Sequence, residues 1–245
     1  MKKRLGVNID HVATVRNARG SSHPDPLLIA KQVMSYRADS ITIHLREDRR
    51  HIKDLDVVKI CKDKGIPTNL EISLNNKILE VALKNKPDFV CIVPEKRKEI
   101  TTEGGLNLSK YKNKITKIIL EFKKRNIRTS LFIDPNFNDI KIAKKLNVDC
   151  IELHTGKISN LVKNKKDFKK ELSKIKKCCL LASKIDIEVH AGHGLDFKTT
   201  AILNKIPEIV EFNIGHFIIG EAITHGLNKT IKKFKKILNN WLWKF

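Results

Sequence analysis

The sequence predicts an α/β fold in which eight parallel strands, each followed by a helix, close into a barrel. Three observations predict it. Short β-rich runs recur eight times along the chain, and amphipathic helical stretches separate them. The 245 residues are also near the size of one such barrel, about 250 residues. The expected architecture is therefore a single (β/α)8 TIM-barrel domain spanning 1–245, with extra helical segments in the βα loops.

The elements follow in order. Residues 4–10 (RLGVNID) alternate Leu5, Val7 and Ile9 with polar positions, as a strand with one packed face does. Asp25 beside Pro26 reads as the cap and first residue of a helix over 26–37. Strand 40–46 (SITIHLR) leads into helix 54–64, strand 67–73 (PTNLEIS) into helix 76–85, and strand 89–94 (FVCIVP) into a long connection over 101–127. That connection begins with Thr101-Thr102-Glu103-Gly104-Gly105, a loop before a helix. Strand 128–134 (RTSLFID) precedes helix 138–146, strand 150–156 (CIELHTG) precedes helix 161–184, and strands 186–192 (DIEVHAG) and 211–217 (EFNIGHF) complete the set. The basic segment 228–243 carries Ile231, Phe234, Ile237, Leu238, Trp241 and Leu242 at helical spacing and closes the barrel, with Trp241 and Trp243 in packing or a subunit contact.

Composition narrows the function classes. Hydrophobic residues make up 41% and charged residues 31%, a globular balance. The basic start leads straight into Leu5-Gly6-Val7-Asn8-Ile9-Asp10, too short an apolar run for a signal peptide or a membrane span, so a cytoplasmic protein is expected. Cys61, Cys91, Cys150, Cys178 and Cys179 show no C-x-x-C spacing, which argues against disulfides or zinc. A net charge of +22 invites nucleic acid as a partner, but the lysines are spread over nearly every polar segment and aromatics total only 6%. The expectation is no nucleic-acid and no membrane partner, with the charge attracting small anionic substrates.

Side chains alternate along a strand, so each strand's polar residues fall on one face. Asn8 and Asp10 share a face, as do Thr42, His44 and Arg46; Asn69 and Glu71; Glu152 and His154; Glu188, His190 and Gly192; and Asn213 and Gly215. In a barrel that face is the lumen. Isolated polar groups are costly to bury there, so six strands showing the pattern point to a site at the C-terminal strand ends.

Each cluster has a chemical and a structural reading. His44 suits proton transfer and Arg46 bidentate phosphate binding, whereas Glu47, Asp48 and Arg49 fit a solvated loop with ion pairs. Asn8, Asp10 and His11 close the first strand and open a long loop through Arg16 and Arg19. Asp10 there fixes a substrate or caps a helix, and Arg16 stays open. Glu71 is a general acid or base, or a partner for Arg46 or a histidine; Glu152 and His154 form a second pair, with Glu152 facing the site. His190-Ala191-Gly192-His193-Gly194 and Asn213-Ile214-Gly215-His216 follow the seventh and eighth strands, where glycine-freed amides hold phosphate in such barrels. The histidines also suggest a metal set (His190 and His193 with His44 and His154), but their spacing is not compact and arginine neighbours would repel a dication. No lysine ends a strand, which argues against a Schiff base formed by the protein. No metal and no cofactor are expected.

With these residues in view, the chain resembles the pyridoxine 5′-phosphate synthase family of deoxyxylulose-dependent vitamin B6 biosynthesis. The blocks that carry the resemblance are GVNIDHVATVRNARG (6–20), ADSITIHLREDRRHI (38–52), NLE (69–71), VPEKRKEITTEGGL (93–106), IELHTG (151–156), AGHGL (191–195) and EFNIGHFIIG (211–220). Departures are His23, His190 where Asn is usual, and the lysine-rich helices. The resemblance implies condensation of 1-deoxy-D-xylulose 5-phosphate with 3-amino-2-oxopropyl phosphate. It implies that His44, Glu71 and His193 transfer protons and that Glu152 stabilises a charged intermediate. It further implies that Asn8, Arg19, Gly194, Gly215 and His216 hold the amino-ketone phosphate, that Asp10, His11, Arg46, His51 and Thr101 hold the deoxyxylulose phosphate, and that the chain forms a homo-octamer. The rival expectations are a metal-dependent sugar-phosphate aldolase or epimerase barrel, and a non-catalytic RNA-associated protein.

Overall fold

The computed structural model describes residues 2–95 and 104–239. Thr101, Trp241 and Trp243 lie outside the described residues. The strands are β1 (Arg4–Asn8), β2 (Ser40–His44), β3 (Thr68–Ile72), β4 (Phe89–Ile92), β5 (Arg128–Ile133), β6 (Cys150–His154), β7 (Glu188–Gly192) and β8 (Ile209–Ile214). They pair in parallel and in sequence order, and β8 pairs back to β1, so the barrel is closed.

The helices α1 (Asp10–Arg19) and α2 (Pro26–Ser35) follow β1, and α3 (Asp54–Lys62), α4 (Asn76–Asn85), α5 (Leu108–Lys123) and α6 (Phe137–Lys145) follow the next four strands singly. Two more, α7 (Gly156–Lys163) and α8 (Lys169–Lys184), come after β6. One, α9 (Phe197–Leu203), comes after β7, and α10 (His216–His225) and α11 (Leu227–Asn239) complete the chain.

Alternation sorts the strand side chains as expected. Leu5, Val7, Ile41, Ile43, Leu70 and Ile72 have no solvent exposure and pack outward under the helices. Burying such a side chain stabilises the fold by about 1.5–3 kcal/mol. An aspartate ahead of each even-numbered strand except the last then pins the strand before it: Asp39 accepts from Leu5 N–H at 2.7 Å, Asp88 from Thr68 N–H at 2.9 Å, and Asp149 from Thr129 N–H at 2.7 Å. Each bond fixes register at the N-terminal end of the barrel, and so fixes which residues reach the opposite end.

Three stretches depart from the sequence expectation. The loop expected after residue 10 is helix α1; its β-branched Val12, Thr14 and Val15 mask the helix in the sequence. Tertiary bonds hold it instead, above all Arg16, which donates to both Asp56 carboxylate oxygens at 2.6 and 2.8 Å and so ties α1 to α3. The helix expected over 161–184 is two helices, parted where Lys165 takes a left-handed φ of 54°. The last strand lies at Ile209–Ile214 rather than 211–217, because a bulge opposite Val189/His190 shifts its register and the helix α10 begins already at His216. Asp25 does cap α2, accepting from Leu27 N–H at 2.7 Å ahead of Pro26.

Candidate active site

The C-terminal ends of β1, β2 and β3 bring the first group together. His44 and Glu71 are register partners on adjacent strands, with His44 Nδ1 3.6 Å from Glu71 Oε2. Asp10, at the start of α1, accepts from the His44 backbone N–H at 2.8 Å and from the Asn8 amide at 2.9 Å, so its carboxylate locks β1, β2 and α1 into one wall. His51 stands beside this wall, Nδ1 3.9 Å from Asp10, its ring 6.0 Å from that of His44. Glu95 completes the group from the end of β4. Its carboxylate lies 3.8 Å from His44 Nε2 and 3.5 Å from Arg46 Nε, and accepts from Glu47 N–H at 2.9 Å.

Strands β6, β7 and β8 supply the second group. Glu152 accepts from the Asn213 amide at 2.7 Å. It also passes so close to Gly192 that a Cβ there would sit 1.8 Å from its Oε1, so a side chain at 192 would displace the carboxylate. His193 and Gly194 form the turn after β7, both with φ of 75°, and Thr155 anchors the turn by donating to the Gly192 and His193 carbonyls at 2.7 Å each. The His193 ring lies 4.9 Å from His154, which pairs through Nδ1 with Asp134 at 3.1 Å. Gly215 caps α10 without a side chain and approaches Asn8, while His216 opens the helix 4.9 Å from the His11 ring. The free amides at that helix start, with the partial positive charge of its N-terminus, suit an anion.

Between the groups, β4 and β5 line the lumen with an apolar strip of Cys91, Val93 and Phe132, separate from the main core. Glu95 and Asp134 follow these two strands and Arg128 begins β5, but between those points the pair adds no charge to the lumen, a medium of low polarity.

That medium drives the titration of the site. Burial, reinforced by the charges of Glu152 and Asp10 and eased by Arg46, raises Glu71 well above the usual carboxylate range. Burial also pushes Glu152 up to about 7, with His190 and Asn213 holding back the rise. His193 moves the other way: burial and the neighbouring His154 lower it to about 4. His11 and His51 are lowered as well, chiefly by burial. Glu95 falls below its usual value, because His44, the Glu47 N–H and Arg46 outweigh its burial.

Several buried atoms here have no hydrogen-bond partner among the described residues: His44 Nε2, Arg46 Nε, Glu95 Oε2, His11 Nδ1 and His154 Nε2. Unpaired buried polar groups are costly, and such groups turned to one cavity fit a polar ligand.

Of the expected site residues, the structure brings together Asn8, Asp10, His11, His44, Arg46, His51, Glu71, Glu152, His193, Gly194, Gly215 and His216 around the C-terminal mouth. Arg19 is not among them. It is exposed at the last residue of α1, nine residues past Asp10 and so about 13 Å along the helix axis. The suggested metal set also divides, since His190 points down the lumen toward Glu188 and Glu211. Asp10, His44 and Glu71 do present ligand atoms within 4.8 Å of one another, and each Asp10 oxygen also accepts one hydrogen bond, from His44 N–H and from the Asn8 amide. Sequence reasoning missed Glu95. The signal was available: 89, 91, 93 and 95 continue one face, past a proline that was read as the strand end.

The chain is similar to several known proteins. The sequence model of a family described as pyridoxal phosphate biosynthesis protein PdxJ matches residues 5–240. A protein of Pelagibacter ubique named pyridoxine 5′-phosphate synthase is 72% identical over 237 residues, covering 97% of this chain and 99% of the relative. One of the same name from Zymomonas mobilis is 48% identical, over 96% and 91% of the two chains. Among solved structures, tryptophan synthase from M. tuberculosis superposes with a TM-score of 0.65 at 8% identity, over 98% and 94% of the chains. Monomers of phosphoribosylanthranilate isomerase from Thermotoga maritima give 0.60 at 13%, over 97% and 98%. At such identities the likeness shows the fold alone.

Proposed function

Since the chain belongs to the PdxJ family of pyridoxal phosphate biosynthesis proteins, we propose that it is the enzyme that makes pyridoxine 5′-phosphate. In this reading it condenses 1-deoxy-D-xylulose 5-phosphate with 3-amino-2-oxopropyl phosphate, releasing phosphate and water. The arrangement that carries it is Glu71 on β3, 3.6 Å from His44 and raised well above the carboxylate range, across the closed barrel from His193 at the end of β7, lowered to about 4. Environments that push two groups apart in this way assign an acid and a base.

In this reading Glu71, whose charged form burial disfavours, is the proton donor, and His193, lowered to about 4, is unprotonated at neutral pH. The amino-ketone brings its own amine, so the imine forms between the substrates and no lysine is needed. Glu71 protonates the hydroxyl that leaves as water, with His44 as its proton-sharing neighbour. His193 removes a carbon-bound proton and afterwards returns it to a leaving oxygen. Glu152 faces the positive charge that develops on the imine nitrogen. Gly194, Gly215 and His216, with Asn8, hold the amino-ketone phosphate at the start of α10, while Arg46, His51, His11, Asp10 and Thr101 hold the sugar phosphate. Two phosphorylated substrates fixed side by side turn a bimolecular encounter into an intramolecular step.

The reading includes a cytoplasmic homo-octamer free of metal and cofactor. No described helix is long and apolar enough to cross a membrane, and all five cysteines are free and buried. Purified protein mixed with both substrates should form pyridoxine 5′-phosphate, detected by its absorbance, with the same rate in EDTA. Absence of product, or activity lost to EDTA and restored by zinc, would overturn the proposal. Light scattering tests the octamer.

A further inference from the structure

His190 is an ionisable group buried below the site, and the reaction scheme does not use it. It is 3% exposed, on β7, in register with Glu152 on β6 and on the same lumen face. Its Nε2 lies 2.8 Å from Glu188 Oε1, and its Nδ1 lies 3.5 Å from Glu211 Oε1. A carboxylate oxygen can only accept, so a ring with a carboxylate at each nitrogen is satisfied when both nitrogens carry protons. Arg4 Nη2 lies 3.2 Å from Nε2 but can only donate, so beside a protonated ring it shares the nearer Glu188 oxygen, to which it also donates, rather than bonding the ring. Around this point Arg4, Arg128 and His190 face Glu188, Glu211 and Glu152. Three cations thus meet three carboxylates, and a neutral ring would leave an uncompensated negative charge in the lumen.

We propose that His190 is a positioning residue for the reaction, an imidazolium clamped beneath Glu152 whose fixed charge lets that carboxylate ionise in the working pH range. The inference rests on the reading of Glu152 as the group that stabilises a charged intermediate. Other neighbours of Glu152 do not replace this charge. Asn213 is neutral, Glu211 and Glu71 oppose ionisation, Cys91 is a buried thiol, and His154 already pairs with Asp134. Burial works against a charged ring, yet Glu211, Glu188 and Glu152 together hold the His190 pKa above its ordinary value, and in return His190 helps to bring Glu188 down to about 2.

The test compares the full-length protein with Glu152→Gln and His190→Gln, measuring kcat and KM for both substrates between pH 5 and 9. The unsubstituted protein should show an acidic limb in kcat that disappears in Glu152→Gln. Removing a positive charge disfavours the carboxylate, so in His190→Gln the limb should move up by about one pH unit or more, with KM little changed. An unmoved limb in His190→Gln, beside a limb that Glu152→Gln abolishes, overturns the role of His190. A limb that survives Glu152→Gln, or a protein inactive on both substrates, overturns the underlying reading instead. Should His190→Gln fail to fold, the ring itself can be read in the unsubstituted protein. Val189-His190 is the one Val-His pair in the chain, so paired carbonyl and nitrogen labelling selects it for solid-state NMR. A doubly protonated ring at pH 8 supports the proposal, and a neutral ring at that pH overturns it.

Discussion

At the N-terminal end of the barrel Arg4 donates to Glu211 at 2.6 Å and to Glu188, while Arg128 stands 3.4 Å from Glu188 and stacks on Phe89. At the C-terminal end His44, Arg46 and Glu95 are as deeply buried as His190 and Glu211, yet each keeps an atom without a partner. All the ionisable side chains among the unpaired buried atoms of the described residues, namely His11, His44, Arg46, Glu95 and His154, lie at this second end. Both ends hold charge inside the same sheet, so burial alone does not mark a site. Completeness among the charged groups does: at one end they are closed by their own partners, and at the other they are left open to groups that a substrate brings.

The comparison predicts that conservative substitutions at the two ends will fail in different ways. The largest effect belongs to Glu71→Gln. General acid–base catalysis contributes about 10²–10⁴-fold, so turnover should drop by about 10³-fold. Stability at neutral pH should hold or rise, because burying an amide does not oppose an ionisation that the unfolded chain favours. Steady-state rates and a thermal melt report the two quantities. A variant that melts early and turns over normally would place Glu71 with the structural end.

Next is Glu152→Gln, whose signature is pH-dependent stability. Glu152 titrates at about 7 in the fold and near the ordinary 4.5 when unfolded. The folded chain therefore holds an extra proton between those values, and loses stability as pH rises from about 4.5 through 7. Gln carries no such cost. The variant should exceed the parent by on the order of 3 kcal/mol at pH 8 and match it at pH 4. Urea unfolding at the two pH values checks this, and an equal difference at both would refute the linkage.

Glu211→Gln, at the closed end, should instead destabilise at every pH between 6 and 8. It leaves Arg4 and His190 short of a carboxylate. The loss should be about 2 kcal/mol, less than for a wholly buried pair, because the Arg4 side chain is 35% exposed. A stability unchanged by this substitution would show that the closed end is not held by its charges.

How far the two ends were legible in the sequence follows the same physics. Strand faces obey a period of two regardless of their surroundings, so the lumen set from Asn8 to Gly215 could be read before any contact was known. The distinction between the ends could not, because it depends on which side chains meet across the barrel. Glu188 and Glu152 look alike in sequence; only register puts Arg4 beside the first and Asn213 beside the second. Helix α1 escaped for a related reason, its stability coming from Arg16 and Asp56, forty positions apart. Glu95 escaped because the proline at 94 hid one more step of the period.

Arg46→Lys gives the smallest effect and tests the open end most directly. Arg46 is 5% exposed, its Nε bonds nothing among the described residues, and Glu95 at 3.5 Å is too far to saturate it. A guanidinium presents a planar fork that meets two phosphate oxygens at once, whereas an ammonium is a point charge on a flexible stem. The substitution keeps the charge, so Glu95 and Glu71 still face a cation. What it removes is the geometry of the bond to the ligand. The dissociation constant for deoxyxylulose phosphate, measured by calorimetry, should rise by about tenfold, about 1.4 kcal/mol, with kcat changed far less. If affinity stays put while the melting temperature falls, Arg46 serves Glu95 rather than a phosphate, and the C-terminal end would be closed in the way the N-terminal end is.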